Sequence, residues 1–134
     1  MDDPLVETTR QLFGHFSRRD LGALLALCDP GVEFLPVTAI VAADGEPYRG
    51  HEGITRYMAD VARVWEELTV EPSDYHRAGD DVVVAVGRVY AWGVGRVIDA
   101  PVGWLWRFGP DGKAVYGRVF ESRRDALQAG GIDI

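Results

Sequence analysis

The chain has 134 residues, 47% of them hydrophobic and 26% charged, with a formal net charge of −7. That length predicts one domain over residues 1–134, able to bury a core without disulfides or metal. The acidic balance, with never more than two basic residues adjacent, argues against nucleic acid and anionic membrane as partners, because phosphate recognition needs concentrated positive charge.

Residues 5–17 read as an amphipathic helix, with Val6, Thr9, Phe13 and Phe16 at helical spacing and Leu5 and Leu12 widening the apolar face. Arg18 and Arg19 place positive charge at its C-terminal end. Asp20 is a natural N-cap for a short second helix over 21–27, which Asp29-Pro30-Gly31 stops. Residues 32–35 predict a short strand. Residues 36–47 have no clear period and predict a mobile loop over an opening. A third helix is expected over about 51–67, with an apolar face of Ile54, Tyr57, Met58, Val61, Trp65 and Leu68.

A strand over 69–78 turns through Gly79-Asp80-Asp81 into three long antiparallel strands over 82–92, 96–108 and 113–121. Gly93 and Gly95 mark the first break, and Pro110-Asp111-Gly112 is a hairpin signal at the second. Ser122 is placed to cap a terminal helix ending at Gly130-Gly131. Helices first and strands later predict an α+β domain, with the helices on one face of a curved, mostly antiparallel sheet. No apolar run reaches the ~20 residues of a membrane span, and the acidic N-terminus lacks a signal core, so a cytoplasmic location is expected. Cys28 has no disulfide partner and is expected to be a buried structural thiol. No metal or cofactor is expected: no Cys/His set has zinc spacing, and Gly93-x-Gly95 opens no helix.

Asp29-Pro30-Gly31-Val32-Glu33-Phe34, Tyr48-Arg49-Gly50-His51-Glu52-Gly53-Ile54, Ala78-Gly79-Asp80-Asp81-Val82, Trp106-Arg107-Phe108-Gly109-Pro110-Asp111-Gly112-Lys113 and the stretch from Phe120 to Gly130 occur in that order. With these pieces the chain resembles the SnoaL-like branch of the nuclear transport factor 2-like superfamily. The resemblance implies a cone: a strongly curved sheet wrapped around helices, with a deep pocket at the wide end. It also implies a homodimer formed through the outer sheet face. Members include ketosteroid isomerases, limonene-type epoxide hydrolases, polyketide cyclases and non-catalytic binding modules, so fold leaves function open.

Strand alternation then proposes an inner face. It comprises Val84, Val86, Arg88, Tyr90 and Trp92, then Trp104, Trp106 and Phe108, then Tyr116, Arg118 and Phe120. Phe13, Phe16, Phe34, Tyr57 and Trp65 would face them, making an aromatic chamber for a small hydrophobic molecule. Core filling is the competing reading for each aromatic taken singly. Arg88, Tyr90 and Arg118 are the candidate catalytic residues, as donors to an anionic or enolate-like oxygen; ion pairing at the rim is the competing reading for the arginines. The resemblance supplies no carboxylate at the epoxide hydrolase positions, which carry Tyr90 and Arg118 here, nor at the isomerase position, where Val32-Glu33-Phe34 stands. Glu33, Asp99 and Glu121 remain as possible bases. His15, His51 and His76 are scattered and read as structural or solvated. Two functions follow: proton transfer on a hydrophobic carbonyl compound (isomerisation, aldol-type cyclisation or hydration), or non-catalytic binding of a hydrophobic ligand or dimeric assembly.

Overall fold

The computed structural model describes residues 3–36 and 47–132. The order is α1 (Pro4–Ser17), α2 (Leu21–Ala26), β1 (Cys28–Leu35), β2 (Tyr48–Arg49), α3 (Gly50–Val64), β3 (Glu67–Arg77), β4 (Val82–Gly93), β5 (Arg96–Phe108), β6 (Ala114–Phe120) and α4 (Arg123–Ala129). The expected loop over 36–47 lies almost entirely outside the described residues. No described helix is long and apolar enough to cross a membrane.

Side chains close the open ends of three helices. Asp3 Oδ1 accepts from the Leu5 amide at 3.0 Å at the start of α1, where Pro4 needs no acceptor. Asp20 Oδ1 accepts from Ala23 N at 3.2 Å before α2, and Ser122 Oγ accepts from Asp125 N at 3.2 Å before α4. α3 stops earlier than expected. Trp65 turns to extended backbone (φ −111°, ψ 133°), and the Glu66 amide donates to Trp92 O at 2.9 Å, starting the β3–β4 ladder. Gly93 permits the turn: a Cβ there would lie 2.7 Å from Val64 O.

The described strands form one mixed sheet in the order β2-β1-β6-β5-β4-β3. β1 runs parallel to β6, and the other neighbours are antiparallel. β1 begins four residues earlier than predicted. Pro30 and Gly31 fall in its register break between Cys28 and Glu33, where Asp29 Oδ2 accepts from Gly31 N at 2.8 Å. The sheet is curved, and β3 carries a bulge between Pro72 and Asp74. The strand leans over Gly87 of β4, where any side chain would strike the Glu71 carbonyl.

The concave face packs Val83, Ala85 and Val89 of β4, Val102, Trp104, Trp106 and Phe108 of β5, and Ala114 and Val119 of β6 against α1, α2 and α3. This reverses the expected faces of β4 and β6. Val84, Val86, Leu105, Tyr116 and Phe120 pack instead with Ala126 and Leu127 of α4. α4 thus covers part of the convex face, contrary to the expectation of helices on one side only. It lies so close that a side chain at Gly103 would collide with Ala126 Cβ, and Arg123 Nε donates to Gly87 O at 3.1 Å. The phase error has a physical origin. The 82–86 run is apolar on both faces because both are covered, so alternation alone assigns neither side.

Candidate ligand cavity

Between the three N-terminal helices and the concave sheet lies a two-part cavity. An inner chamber of about 70 Å³ is lined by Leu12, Phe13 and Phe16 of α1, Leu24 of α2, Cys28 and Phe34 of β1, and Ile54 and Tyr57 of α3. Val70, Trp104, Trp106 and Val119 complete it from the sheet. A wider vestibule of about 680 Å³ shares Tyr57, Val70, Trp104 and Val119 with the chamber. It continues past Trp65, Leu68, Val89, Ala91, Ile98, Ala100 and Val102 to Arg96 and Glu121.

Aromatic contacts set the chamber's shape. Phe34 stacks on Trp106 at 5.7 Å between centroids and meets Tyr57 edge-on at 4.8 Å. Phe13 meets Trp104 edge-on at 4.8 Å. Phe16 is held by Arg19, whose guanidinium lies 4.4 Å from its ring centroid and whose Nη2 donates to Leu68 O at 2.8 Å. Arg19 itself sits at φ 57°, a left-handed conformation that few non-glycine residues adopt.

Few polar side chains line this space. Among the described residues, no charged side chain lines the chamber. Trp65 and Trp106 each bury an indole Nε1 with no hydrogen-bond partner among the described residues. The Tyr57 hydroxyl likewise has none, and burial, with Tyr48 nearby, pushes it well above the ordinary tyrosine range. Burial pushes the Cys28 thiol up to about 11, so at neutral pH it is an uncharged wall of the chamber. Tyr48, behind Tyr57 at 5.2 Å, donates to Asp60 Oδ2 at 2.7 Å; burial and that bond push its hydroxyl up to about 12. In the vestibule, Arg96 and Glu121 have no ion-pair partner among the described residues. Among those residues, no group of three His, Cys, Asp or Glu side chains could hold a metal.

Of the residues expected at the site, Phe16, Phe34, Tyr57, Trp104 and Trp106 line the chamber, and Trp65 lines the vestibule. The other six lie on the convex face. Tyr90 and Trp92 are 38% and 42% exposed, and the Trp92 indole donates to Glu67 at 3.2 Å. Arg88 pairs with Asp99 across the β4–β5 ladder at 2.9 Å, both side chains exposed. Arg118 covers Phe120 at 4.6 Å, and Tyr116 lies under Arg107 at 5.2 Å. Arg88, Tyr90 and Arg118 therefore do not converge on the cavity; the concave positions beside them are Val89, Ala91 and Val119. Among the possible bases, Asp99 is held by Arg88 and Glu33 by Arg49 at 3.4 Å, while Glu121 lines the vestibule. His51 Nε2 donates to the Cys28 carbonyl at 2.8 Å, a bond that ties α3 to β1. The small residues of β4 and the aliphatic lining from Leu24, Ile54 and Val70 were missed. The alternate phase of β4, with Val83, Ala85, Val89 and Ala91 on one side, would have revealed Val89 and Ala91.

The sequence profile of the SnoaL-like domain matches residues 9–117. The chain belongs to the SnoaL-like family, within the nuclear transport factor 2-like fold. A nuclear transport factor 2-like protein of unknown function from Burkholderia pseudomallei K96243 is similar to it, with 22% identity over 95% of this chain and 97% of that one and a TM-score of 0.79. TerC, co-crystallised with polyporic acid, has 22% identity over 96% and 99% and a TM-score of 0.78. Rv0760c from Mycobacterium tuberculosis, in complex with estradiol-17β-hemisuccinate, has 15% identity over 90% and 95% and a TM-score of 0.77. At these identities the likeness is one of fold. No curated protein matches the sequence.

Proposed function

We propose that this SnoaL-like protein binds a small hydrophobic molecule in the cavity between α1, α3 and the concave sheet. The observation that carries the reading is the continuity of an almost wholly apolar chamber with a wider vestibule through Tyr57, Val70, Trp104 and Val119. Ligand sites commonly combine an apolar wall with a few placed polar groups. The complexes of Rv0760c with estradiol-17β-hemisuccinate and of TerC with polyporic acid, on the same fold, support it. Arg88, Tyr90 and Arg118 have no part in this reading, because they lie on the other side of the sheet.

A proton-transfer activity, as isomerisation, cyclisation or hydration of a carbonyl compound, is the second reading. Glu121 favours it, because among the described residues it is the carboxylate that lines the vestibule together with Tyr57. In that case Glu121 acts as base, and Tyr57, held protonated by burial, donates to the developing oxyanion.

A second copy of the chain is proposed to cover the convex face near the β4–β5 hairpin, where Tyr90, Trp92, Val94 and Val97 are exposed. The test of the main reading is binding of the neutral solvatochromic ketone prodan. Saturable blue-shifted emission at one probe per chain is expected, lost on Val119→Trp, which fills the shared wall. Absence of saturable binding would overturn the reading.

A further inference from the structure

We infer that the vestibule takes an elongated apolar molecule that ends in a carboxylate, with the head group at Arg96 and the tail directed past Trp104 and Val119 into the inner chamber. This rests on the cavity being a ligand site, as proposed above. Strand β5 sets the arrangement. Arg96, Ile98, Ala100, Val102 and Trp104 alternate along it and all line the vestibule. One concave row therefore runs from an exposed cation at the hairpin end to a buried indole at the inner end. A two-residue turn, Val94-Gly95, joins Arg96 to its cross-strand partner Gly93 and fixes that position at the tip. Among the described residues, Arg96 and Arg124 are the arginines with no hydrogen bond, ion pair or aromatic ring to meet the guanidinium. Arg124 lies on α4, and Arg96 is the one that lines a cavity.

Charge decides the orientation. Ile98, Ala100 and Val102 separate Arg96 from the chamber, and no charged side chain among the described residues lines the chamber itself. An ionised head drawn inward would lose its water with no cation to replace it, whereas an apolar tail gains from the same burial. Glu121 is the acidic group on the vestibule wall among the described residues. It follows Phe120, which pairs with Gly103, so it stands beside the inner end of the row, roughly 20 Å along the strand from Arg96 at ~3.4 Å per residue. Glu121 repels an anion from the inner half, and Arg96 attracts it at the outer end. Because Arg96 is exposed, its pairing selects the head group more than it adds affinity.

The test is isothermal titration of dodecanoate, methyl dodecanoate and dodecylamine into the full chain at pH 8 and low salt. Arg96→Gln is expected to weaken dodecanoate about three-fold and Arg96→Glu further, while the uncharged ester binds all three proteins alike. The loss should shrink at high salt, since exposed charges are screened. Val119→Trp, with native circular dichroism, fills the passage to the chamber and is expected to weaken acid and ester together. Equal dodecanoate affinity in wild type and Arg96→Glu, a matching loss of the ester in that variant, or dodecanoate binding unaffected by Val119→Trp would overturn the inference. Tighter binding of dodecylamine than of dodecanoate by the wild type would assign the vestibule to a cation at Glu121 and overturn it too. Each of these results, or no binding of acid and ester while prodan binds saturably, leaves the cavity reading standing. Absence of binding by all of them, prodan included, would overturn both.

Discussion

Phe34 of β1 lies almost parallel to Trp106 of β5, with 14° between the ring planes, although β6 stands between their strands. Gly117 makes this contact possible. It is the β6 residue paired with both Phe34 and Trp106, and its missing side chain leaves the space that the indole occupies. Gly117→Ala is therefore expected to displace the Trp106 ring and cost about 1–3 kcal/mol, the usual penalty for overpacking a core. Urea unfolding followed by tryptophan fluorescence measures it, together with a changed emission spectrum of the folded state.

Alkaline stability follows from groups buried in their protonated form. Cys28 is pushed up to about 11 and Tyr48 to about 12, with Tyr57 and Tyr75 also raised, chiefly by burial. In the unfolded chain these groups release protons at lower pH than in the fold. Their contribution to stability is complete below about pH 9, declines once the unfolded groups ionise and is gone above the folded values. Chemical denaturation at pH 8, 9.5 and 10.5 should show falling stability, and Cys28→Ala should make the early part of the decline shallower.

The convex-face residues give the opposite expectation. The Arg88–Asp99 pair is exposed, and exposed pairs are worth ~0–1 kcal/mol. Arg88→Ala should change stability by no more than that and leave prodan affinity unaltered. Urea unfolding of the variant checks the energy, and a prodan titration checks the side of the sheet, since a large loss of binding would mean that Arg88 reaches the ligand.

Dimerisation through the convex face is testable at Trp92. If a second copy covers the exposed Tyr90, Trp92 and Val97, then Trp92→Glu should shift the mass measured by light scattering from two chains to one. The change sits outside the cavity, so ligand binding should persist. One mass for both proteins would contradict that interface.

Helix positions were legible because their signals are local. Asp20 and Ser122 cap where the sequence predicts, and the glycines around Val94 and the Asp111-Gly112 turn break the strands where the periods change. The aromatic chamber was legible in part, because Phe16, Phe34, Tyr57, Trp104 and Trp106 are large and keep helical or strand spacing. The phase of β4 and β6 was not. Arg88, Tyr90 and Trp92 share a face with Val84 and Val86, and those valines are buried under α4, a helix on the side expected to be bare. A contact between residues some forty positions apart decides which side is inside, and strand periodicity carries no trace of it. Unpaired donors are equally invisible in a sequence, since Trp65 and Trp106 become notable only once every neighbour is known.

The most direct test is a prodan titration of the wild-type protein and Val119→Trp, read by emission wavelength. A saturable blue shift at one probe per chain, abolished in a variant with native circular dichroism, is the predicted result. No saturable shift in the wild type, or the same affinity in both proteins, would contradict a ligand cavity between Tyr57, Trp104 and Val119.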